Sequence, residues 1–169
     1  MKVDKEVPKL KVRLTLIPSL ILMLVLTACS SNDSENQLNV DAKDINGNVV
    51  RLSQNQPSLV YFMSASCPTC KDGEIMLNEV SRLYPEVQII TVDLDPYMDT
   101  VDGLAEFQEN YGGSWPHILD DKDRTITREF GVKQLEETVL VDQNHKEVFR
   151  AVNPTLKEVQ EALAKIGVK

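Results

Sequence analysis

The sequence has few residues that bind metals, with three cysteines and two histidines among its 169 residues. Structural zinc sites usually take four ligands from cysteine and histidine. The chain has one Cys-x-x-Cys pair, Cys67 and Cys70, and neither a second pair nor a His-x-x-x-His spacing. His117 and His145 each stand alone, and we interpret them as a packed strand residue and an exposed turn residue. The sequence therefore predicts no dedicated metal site and no cofactor.

Positive charge is scarce beyond the first 28 residues. Residues 1–28 contain 5 of the 18 basic and 2 of the 26 acidic side chains. The other 141 residues therefore carry 13 basic and 24 acidic side chains, a net charge of −11. Such a surface repels nucleic acid and has no electrostatic attraction to anionic lipid. We expect one domain with a single core and no nucleic-acid partner.

The main apolar run is short for a membrane span. Leu14–Ala28 has 15 residues, whereas a spanning helix needs about 20. A basic segment precedes it, and this combination is typical of a secretory signal. The run ends in Leu26-Thr27-Ala28-Cys29, which resembles the cleavage box of bacterial lipoproteins.

That resemblance implies that Cys29 receives a diacylglycerol and becomes the new N-terminus. The alternative is an uncleaved signal anchor with an unmodified cysteine. We therefore predict a lipoprotein signal peptide at residues 1–28, a lipidated cysteine with a flexible tether at 29–37, and a folded domain at 38–169. Both alternatives put the domain outside the cytoplasmic membrane, and the lipid would anchor it there.

The remaining two cysteines stand at a predicted junction between a strand and a helix. Leu59–Met63 is a short continuous apolar run, which is typical of a buried strand. The segment after Cys70 has apolar residues at helical spacing, which predicts a helix. A helix N-terminus presents unpaired N–H groups and the positive end of a dipole, and both stabilise a thiolate. We interpret Cys67 as an exposed nucleophile and Cys70 as its resolving thiol.

Other functions of the pair stay open at this point. A permanent structural disulfide is one, although so short a loop removes little chain entropy when it closes. A metal chaperone or sensor that holds copper(I) or another soft ion between two thiolates is a second. A peroxidase of the peroxiredoxin kind is a third, but Val60 and Ser64 replace the proline and threonine of its Pro-x-x-x-Thr-x-x-Cys motif.

The order of predicted elements indicates the fold class. Alternating stretches around Asn46-Gly47 predict a β-hairpin. Strands then alternate with helices, and a second hairpin and an amphipathic helix end the chain. In the helix after the cysteines, the residues predicted to face the core are Ile75, Leu77, Val80 and Leu83. This order predicts an α/β fold with a mixed central sheet.

A Cys-x-x-Cys in this order of elements resembles the thioredoxin superfamily, and within it the TlpA/ResA-like membrane-tethered thiol–disulfide oxidoreductases. The similarity covers residues 38–169 and includes LVYFMSASCPTC and SWPHILDDKDRTITREFGV. It implies a thioredoxin-like fold with an extra N-terminal β-hairpin, flanking helices, and a Pro68-Thr69 dipeptide that tunes the thiolate. It also implies dithiol exchange with exported proteins, often in cytochrome c maturation. Reduction is the default direction, with a DsbD/CcdA-like membrane thiol transporter as the electron source.

Several residues depart from the pattern of these relatives. Ser66 replaces the aromatic residue that usually precedes the first cysteine. Gly73 stands where a glutamate often assists proton movement, and Glu74 follows it. Glu74 could serve as that proton relay or be an ordinary solvated helix residue. Tyr61 stands where classical thioredoxins have a buried aspartate, and we expect it to pack in the core.

The largest departure is a missing proline. Relatives have a cis-proline opposite the cysteine pair, and the matching positions here are Glu136 and Glu137, with Glu136 preferred. A non-proline cis bond costs about 2.5 to 4 kcal/mol, so we expect a trans loop. The family's proline also helps to keep metals off the thiols, so its loss favours metal binding. An inward Glu136 would raise the pKa of Cys67, but we expect it to point outward into solvent.

Overall fold

The computed structural model describes residues 37–169. Within that range there are seven strands and four helices. The strands are β1 (Asp41–Lys43), β2 (Val49–Arg51), β3 (Ser58–Met63), β4 (Gln88–Asp93), β5 (His117–Leu119), β6 (Glu137–Val141) and β7 (Glu147–Val152). The helices are α1 (Cys70–Leu83), α2 (Val101–Tyr111), α3 (Thr125–Glu129) and α4 (Leu156–Lys165).

The proposed signal peptide, the lipidated Cys29 and all but the last residue of the tether lie outside the described residues. Those assignments, and the boundaries that go with them, therefore stay predictions. Among residues 37–169, no helix has the length and apolar character that a membrane crossing requires.

Five strands form a mixed sheet in the order β5-β4-β3-β6-β7. β3, β4 and β5 run parallel, whereas β6 is antiparallel to β3 and β7 is antiparallel to β6. Parallel neighbours need a crossover connection, usually a helix, and α1 and α2 supply these connections. On the central strand β3, Tyr61 lies between Thr91 of β4 and Thr138 of β6. The predicted α/β fold with a mixed sheet flanked by helices is confirmed.

Different elements pack on the two faces of the sheet. Successive residues of a strand point to opposite faces, so Tyr61 and Phe62 belong to separate parts of the core. Helices α1, α2 and α4 pack on the Tyr61 face, through Leu77, Leu104 and Leu163. The N-terminal hairpin and α3 pack on the Phe62 face, through Val50, Ile126 and Phe130, which follows α3. The cysteine-bearing helix therefore lies on the Tyr61 face.

The predicted N-terminal hairpin forms as a separate two-stranded sheet of β1 and β2. In its turn Gly47 has φ +84°, a left-handed conformation that glycine adopts without the steric cost of a side chain. The Asp44 carboxylate accepts hydrogen bonds from the N–H groups of Asn46 and Asn48, at 2.9 and 2.8 Å. The turn chemistry thus closes the hairpin, and this element of the fold is confirmed.

The buried face of α1 differs from the prediction. Ile75 and Leu83, both expected inside, are 54% and 39% exposed. Leu77 and Val80 are buried as predicted, and Cys70, Gly73 and Glu74 complete the buried face. Residues three and four apart share one face of a helix, and the spacing from Cys70 to Glu74 to Leu77 follows that rule. The apolar spacing predicted only part of this face, because a carboxylate occupies one of the core positions.

Candidate active site

Cys67 and Cys70 are joined as a disulfide, with their Cα atoms 5.5 Å apart. The loop that holds them connects β3 to α1, and the Cys67 N–H donates a hydrogen bond to the Ser64 carbonyl at 3.0 Å. Cys70 is the first residue of α1 and is fully buried. Cys67 is half-buried, and Pro68 and Thr69 between the cysteines are exposed. A partner thiol can therefore reach Cys67 but not Cys70.

Tyr61 holds the second cysteine in place. Its hydroxyl donates a hydrogen bond to the Cys70 carbonyl at 2.9 Å. Burial, and then the negative charge of Glu74, raise the pKa of Tyr61, so the hydroxyl stays a donor. A methyl group at Gly73 would overlap the Tyr61 ring, so this close approach requires glycine. The sequence predicted core packing for Tyr61, but its contacts with the active-site helix were not predicted.

A buried polar cluster lies between α1, β4 and β5. The Thr91 hydroxyl donates to Glu74 Oε1 at 2.7 Å and accepts from Trp115 Nε1 at 3.0 Å. His117 Nδ1 lies 3.1 Å from the Trp115 carbonyl, and its ring stacks on the indole with centroids 5.9 Å apart. Glu74, Thr91 and His117 are all fully buried. Four side chains from distant parts of the sequence thus form one unit beneath the active-site helix.

Glu74 and His117 each have one polar atom in this cluster without a hydrogen-bond partner among the described residues. His117 Nε2 lies 3.4 Å from Glu74 Oε1, but the alignment is not that of a hydrogen bond, and Glu74 Oε2 has no partner among the described residues. The interpretation of Glu74 as a solvated helix residue is therefore wrong. Its role as a proton relay stays a prediction, and the burial of both Cys70 and Glu74 on one helix face is compatible with it.

Glu136 lies beside the cysteines. A carboxylate oxygen of Glu136 and the two sulfur atoms of Cys67 and Cys70 all lie within 4.8 Å of one another. The expectation that Glu136 points outward is therefore wrong. Its N–H donates to the Phe62 carbonyl and its own carbonyl accepts from the Asn153 N–H, both at 2.8 Å. These bonds fix the backbone so that the side chain points towards the disulfide.

The backbone around Glu136 is unusual in another way. Glu136 has φ +65°, a left-handed conformation that is uncommon for residues other than glycine, asparagine and aspartate. Within residues 37–169 there is no cis peptide bond, as expected for a loop that lacks the proline of the relatives. The position opposite the cysteines is thus occupied by a carboxylate on a trans backbone.

Glu137 has a different environment although it is the next residue. Its side chain is buried, and Oε2 accepts a hydrogen bond from Arg150 Nη1 at 2.8 Å. Oε1 accepts from the Lys133 N–H at 3.2 Å. Arg150 also binds the Glu147 carboxylate and the Phe130 carbonyl. Glu137 therefore anchors β6 to β7 and the end of α3, and only Glu136 faces the thiols.

A pair of carboxyl groups lies behind the loop that precedes the cysteines. Asp93, at the end of β4, is fully buried and accepts hydrogen bonds from the N–H groups of Ala65 and Asp95, both at 2.9 Å. Asp99 accepts a hydrogen bond from the Ser64 hydroxyl at 2.5 Å. Burial raises the pKa of Asp93 to about 7, and the adjacent Asp99 acts in the same direction. The pair therefore holds a proton up to near-neutral pH, and no sequence motif indicated it.

The mixed sheet, the helix that begins at the second cysteine and the adjacent Cys67–Cys70 disulfide define the class of thioredoxin-like thiol–disulfide oxidoreductases. The chain belongs to the AhpC/TSA family, whose sequence profile matches residues 35–149. The thiol–disulfide oxidoreductase ResA of Bacillus anthracis is 28% identical over 128 residues, which cover 75% of this chain and 67% of that protein. The predicted resemblance to ResA-like proteins is confirmed.

Other relatives and solved structures extend the comparison. Mercury resistance operon ORF3 of Streptomyces lividans is 23% identical over 117 residues, 67% of this chain and only 61% of that protein's length. A thioredoxin-like protein from Aeropyrum pernix has a TM-score of 0.66 at 21% identity and covers 75% of this chain and 89% of its own. Copper-bound ScoI of Bradyrhizobium japonicum has a TM-score of 0.62 at 18% identity, with coverages of 77% and 98%. These structures share the fold with the present chain.

Proposed function

We propose that the protein is an extracytoplasmic, lipid-anchored thiol–disulfide oxidoreductase that exchanges its cysteine pair with exported proteins, as a reductase. The observation that carries this proposal is the accessible Cys67 bonded to the buried Cys70 at the start of α1. The N-terminal end of a helix stabilises a thiolate. Cys67 is therefore suited to attack a partner, and Cys70 is suited to resolve the product.

In the exchange, one disulfide bond is broken for each one formed, and two electrons are transferred between the proteins. In the dithiol form, the Cys67 thiolate attacks a partner disulfide, forms a mixed disulfide and releases the partner's other sulfur as a thiolate. Cys70 then attacks Cys67, which releases the second partner sulfur and closes the Cys67–Cys70 bond. Two electrons pass to the partner, and Cys70 must lose its proton on the way. Glu74 is the proton acceptor in this proposal, because it is buried on the same helix face as Cys70.

Partner binding uses the surface around Cys67. A groove beside it is lined by Ser66, Asp99, Glu106 and Tyr111 among others, so it combines acidic and aromatic side chains. Exported proteins with disulfides are the partners, and a DsbD/CcdA-like membrane thiol transporter supplies the electrons. The reducing direction and the electron source rest on the likeness to ResA-like proteins, which is an analogy.

Support for the membrane anchor comes from the sequence alone. The basic segment, the apolar run and Leu26-Thr27-Ala28-Cys29 together form a lipoprotein signal. In this proposal Cys29 carries the lipid, and a single domain extends from it outside the cytoplasmic membrane. The mass of the protein extracted from membranes should show cleavage before Cys29 and a diacylglycerol on that cysteine, and Cys29→Ser should lose both changes. An unmodified Cys29 in the parent protein would contradict lipid anchoring.

The experiment that tests the exchange is a measurement of reduction potential. The full-length chain carrying Cys29→Ser is equilibrated in detergent with glutathione or dithiothreitol buffers, and free thiols are counted by mass after alkylation. A reversible two-electron transition near −270 mV, about the value of thioredoxin, supports a reductase. A value near −120 mV, about that of DsbA, overturns the reducing direction. A cysteine pair that does not cycle between dithiol and disulfide overturns the proposal that the protein is an oxidoreductase.

A second candidate function is a copper chaperone or sensor that uses the same cysteine pair. It is favoured by the fold shared with copper-bound ScoI and by the affinity of thiolates for copper(I). Within residues 37–169, however, no histidine joins the cysteines, and the third potential ligand is the Glu136 carboxylate. Copper stoichiometry of the reduced protein tests this candidate, since a chaperone would bind one copper(I) per chain.

A further inference from the structure

Three potential metal ligands converge at the disulfide. The Cys67 and Cys70 sulfurs and a carboxylate oxygen of Glu136 lie within 4.8 Å of one another. Glu136 and Cys67 are half-buried and Cys70 is fully buried. The cluster is therefore open to solvent on one side, through which an ion can enter, and closed by protein on the other.

The Glu136 carboxylate is free to act as a ligand. Unlike Glu137, whose carboxylate pairs with Arg150 and the Lys133 N–H, Glu136 has no side-chain hydrogen bond or ion pair within residues 37–169. Two hydrogen bonds at 2.8 Å hold its backbone on both sides. A carboxylate without a partner that is directed at two sulfur atoms would repel the thiolates formed on reduction. A cation between them removes that repulsion.

We propose that the dithiol form binds one zinc-class divalent cation through Cys67, Cys70 and Glu136. Zinc takes thiolates at about 2.3 Å and carboxylates at about 2.0 to 2.2 Å in tetrahedral sites. That geometry places the ligand atoms roughly 3.5 to 3.8 Å apart, so the carboxylate has to move inward by at most about 1.3 Å. Once the disulfide is reduced, its sulfur atoms separate to the same spacing. Water fills the fourth position.

The ligand set selects the metal. Copper(I) is soft and binds two thiolates well, and a carboxylate adds little to it, whereas zinc accepts both sulfur and carboxylate ligands. Both cysteines bind the ion as thiolates, so binding releases any thiol proton that is still present, up to two, and no electrons are transferred. The disulfide form has no thiolate and does not bind. The inference therefore shares with the proposed function only the reduced state of the pair, and metal binding and disulfide formation compete.

The test is a metal titration of the full-length chain carrying Cys29→Ser, in detergent. The protein is reduced with a phosphine, and Zn²⁺ affinity is measured by competition with a chromogenic chelator. Co²⁺ absorption reports thiolate ligation. We expect one equivalent of metal, thiolate-to-cobalt charge-transfer bands, and no binding to the oxidised protein. Glu136→Gln should weaken Zn²⁺ binding about tenfold or more and leave copper(I) binding unchanged.

Asp72→Asn is the matched control, because Asp72 is an exposed carboxylate near the cysteines but outside the cluster. Its Zn²⁺ affinity should stay within about twofold of the parent. Three outcomes would overturn the inference: equal Zn²⁺ affinity in Glu136→Gln and the parent, binding by the oxidised protein, or binding of copper(I) alone.

The outcome of the zinc titration can be distinguished from the outcome of the redox experiment that tests the proposed function. The phosphine reduces the pair whether or not it exchanges with proteins, so zinc binding is measured even if the enzyme proposal fails. Conversely, a pair that cycles in glutathione but binds no zinc leaves the exchange intact and overturns the metal site alone.

Discussion

At the residue scale, Thr91 links the buried polar cluster. Its hydroxyl joins the Glu74 carboxylate to the Trp115 N–H, and all of these groups are buried. A buried donor or acceptor that loses its only hydrogen-bond partner destabilises the folded state by its desolvation cost, about 1 to 3 kcal/mol for each group. The cluster therefore depends on one hydroxyl between two elements that are far apart in sequence.

We predict that Thr91→Val lowers the free energy of unfolding by about 2 to 4 kcal/mol, because it leaves a carboxylate oxygen and an indole N–H without partners. Urea denaturation at pH 7 measures the change. Thr138→Val is the matched control, since Thr138 is equally buried on β6 but its hydroxyl has no partner among the described residues. It should be neutral or slightly stabilising. Equal losses in the two variants would contradict the role of Thr91.

Residue identity alone revealed part of the site. The Cys-x-x-Cys spacing indicated Cys67 and Cys70 directly, because both residues lie in one short loop. Glu136 is 66 residues away from Cys70, and its side-chain direction depends on hydrogen bonds to β3 and to Asn153. The resemblance to relatives with a cis-proline at this position placed Glu136 opposite the cysteines, but the sequence did not indicate that its side chain points at them.

At the scale of elements, the fit of α1 against β3 determines where the cysteines lie. Gly73 allows the Tyr61 ring to approach the helix, and the Tyr61 hydroxyl then binds the Cys70 carbonyl. Alanine usually stabilises a helix by about 1 kcal/mol relative to glycine. Here the added methyl group has no space, so packing outweighs helix propensity.

We predict that Gly73→Ala destabilises the protein by about 1 to 3 kcal/mol, the usual cost of overpacking a core. The midpoint of guanidinium denaturation measures the loss. Gly103→Ala on α2 is the comparison, because the nearest atom to its added Cβ is the hydroxyl of the exposed Thr100 at 3.3 Å, and no ring overlaps it. That variant should be neutral or up to about 1 kcal/mol more stable. If Gly73→Ala also gains stability, the close packing of Tyr61 is not a constraint.

At the scale of the whole molecule, pH acts through buried and surface carboxylates. Burial raises the pKa of Asp93 from 3.8 to about 7, so the folded state binds this proton more tightly than the unfolded chain does. The resulting stability is fully present below about pH 4 and is lost as the pH rises through 7. Residues 29–169, which carry a net charge of −11, also repel one another more as their carboxyl groups ionise.

We therefore predict that the free energy of unfolding falls by roughly 2 to 4 kcal/mol between pH 5 and pH 8. Asp93→Asn removes the titrating carboxyl group. Its amide oxygen can accept from only one of the Ala65 and Asp95 N–H groups, so we expect the variant to be less stable than the parent at acidic pH. The variant should lose most of this dependence and retain only the smaller slope from surface charge. Urea titrations at four pH values compare the two proteins. Parallel pH profiles would show that Asp93 does not titrate in this range.

Local patterns in the sequence determined the elements of this protein. Apolar runs and helical spacing predicted the strands and helices, Asn46-Gly47 predicted the hairpin turn, and the Cys-x-x-Cys after a strand predicted the redox pair. These features succeed because each depends on residues that are neighbours in the chain. The order of the elements was then enough to predict the mixed sheet, since only a few arrangements connect strands and helices in that order.

Tertiary structure decided what surrounds the thiols. The sheet brings Thr91 and His117 against Glu74, buries Asp93 behind the loop, and directs Glu136 at the disulfide. Each of these contacts joins residues that are far apart in the chain or depends on how deeply a helix is buried. The sequence left the role and burial of Glu74 open and predicted a solvated Glu136, because exposure is a property of packing, and packing is fixed only when the layers assemble.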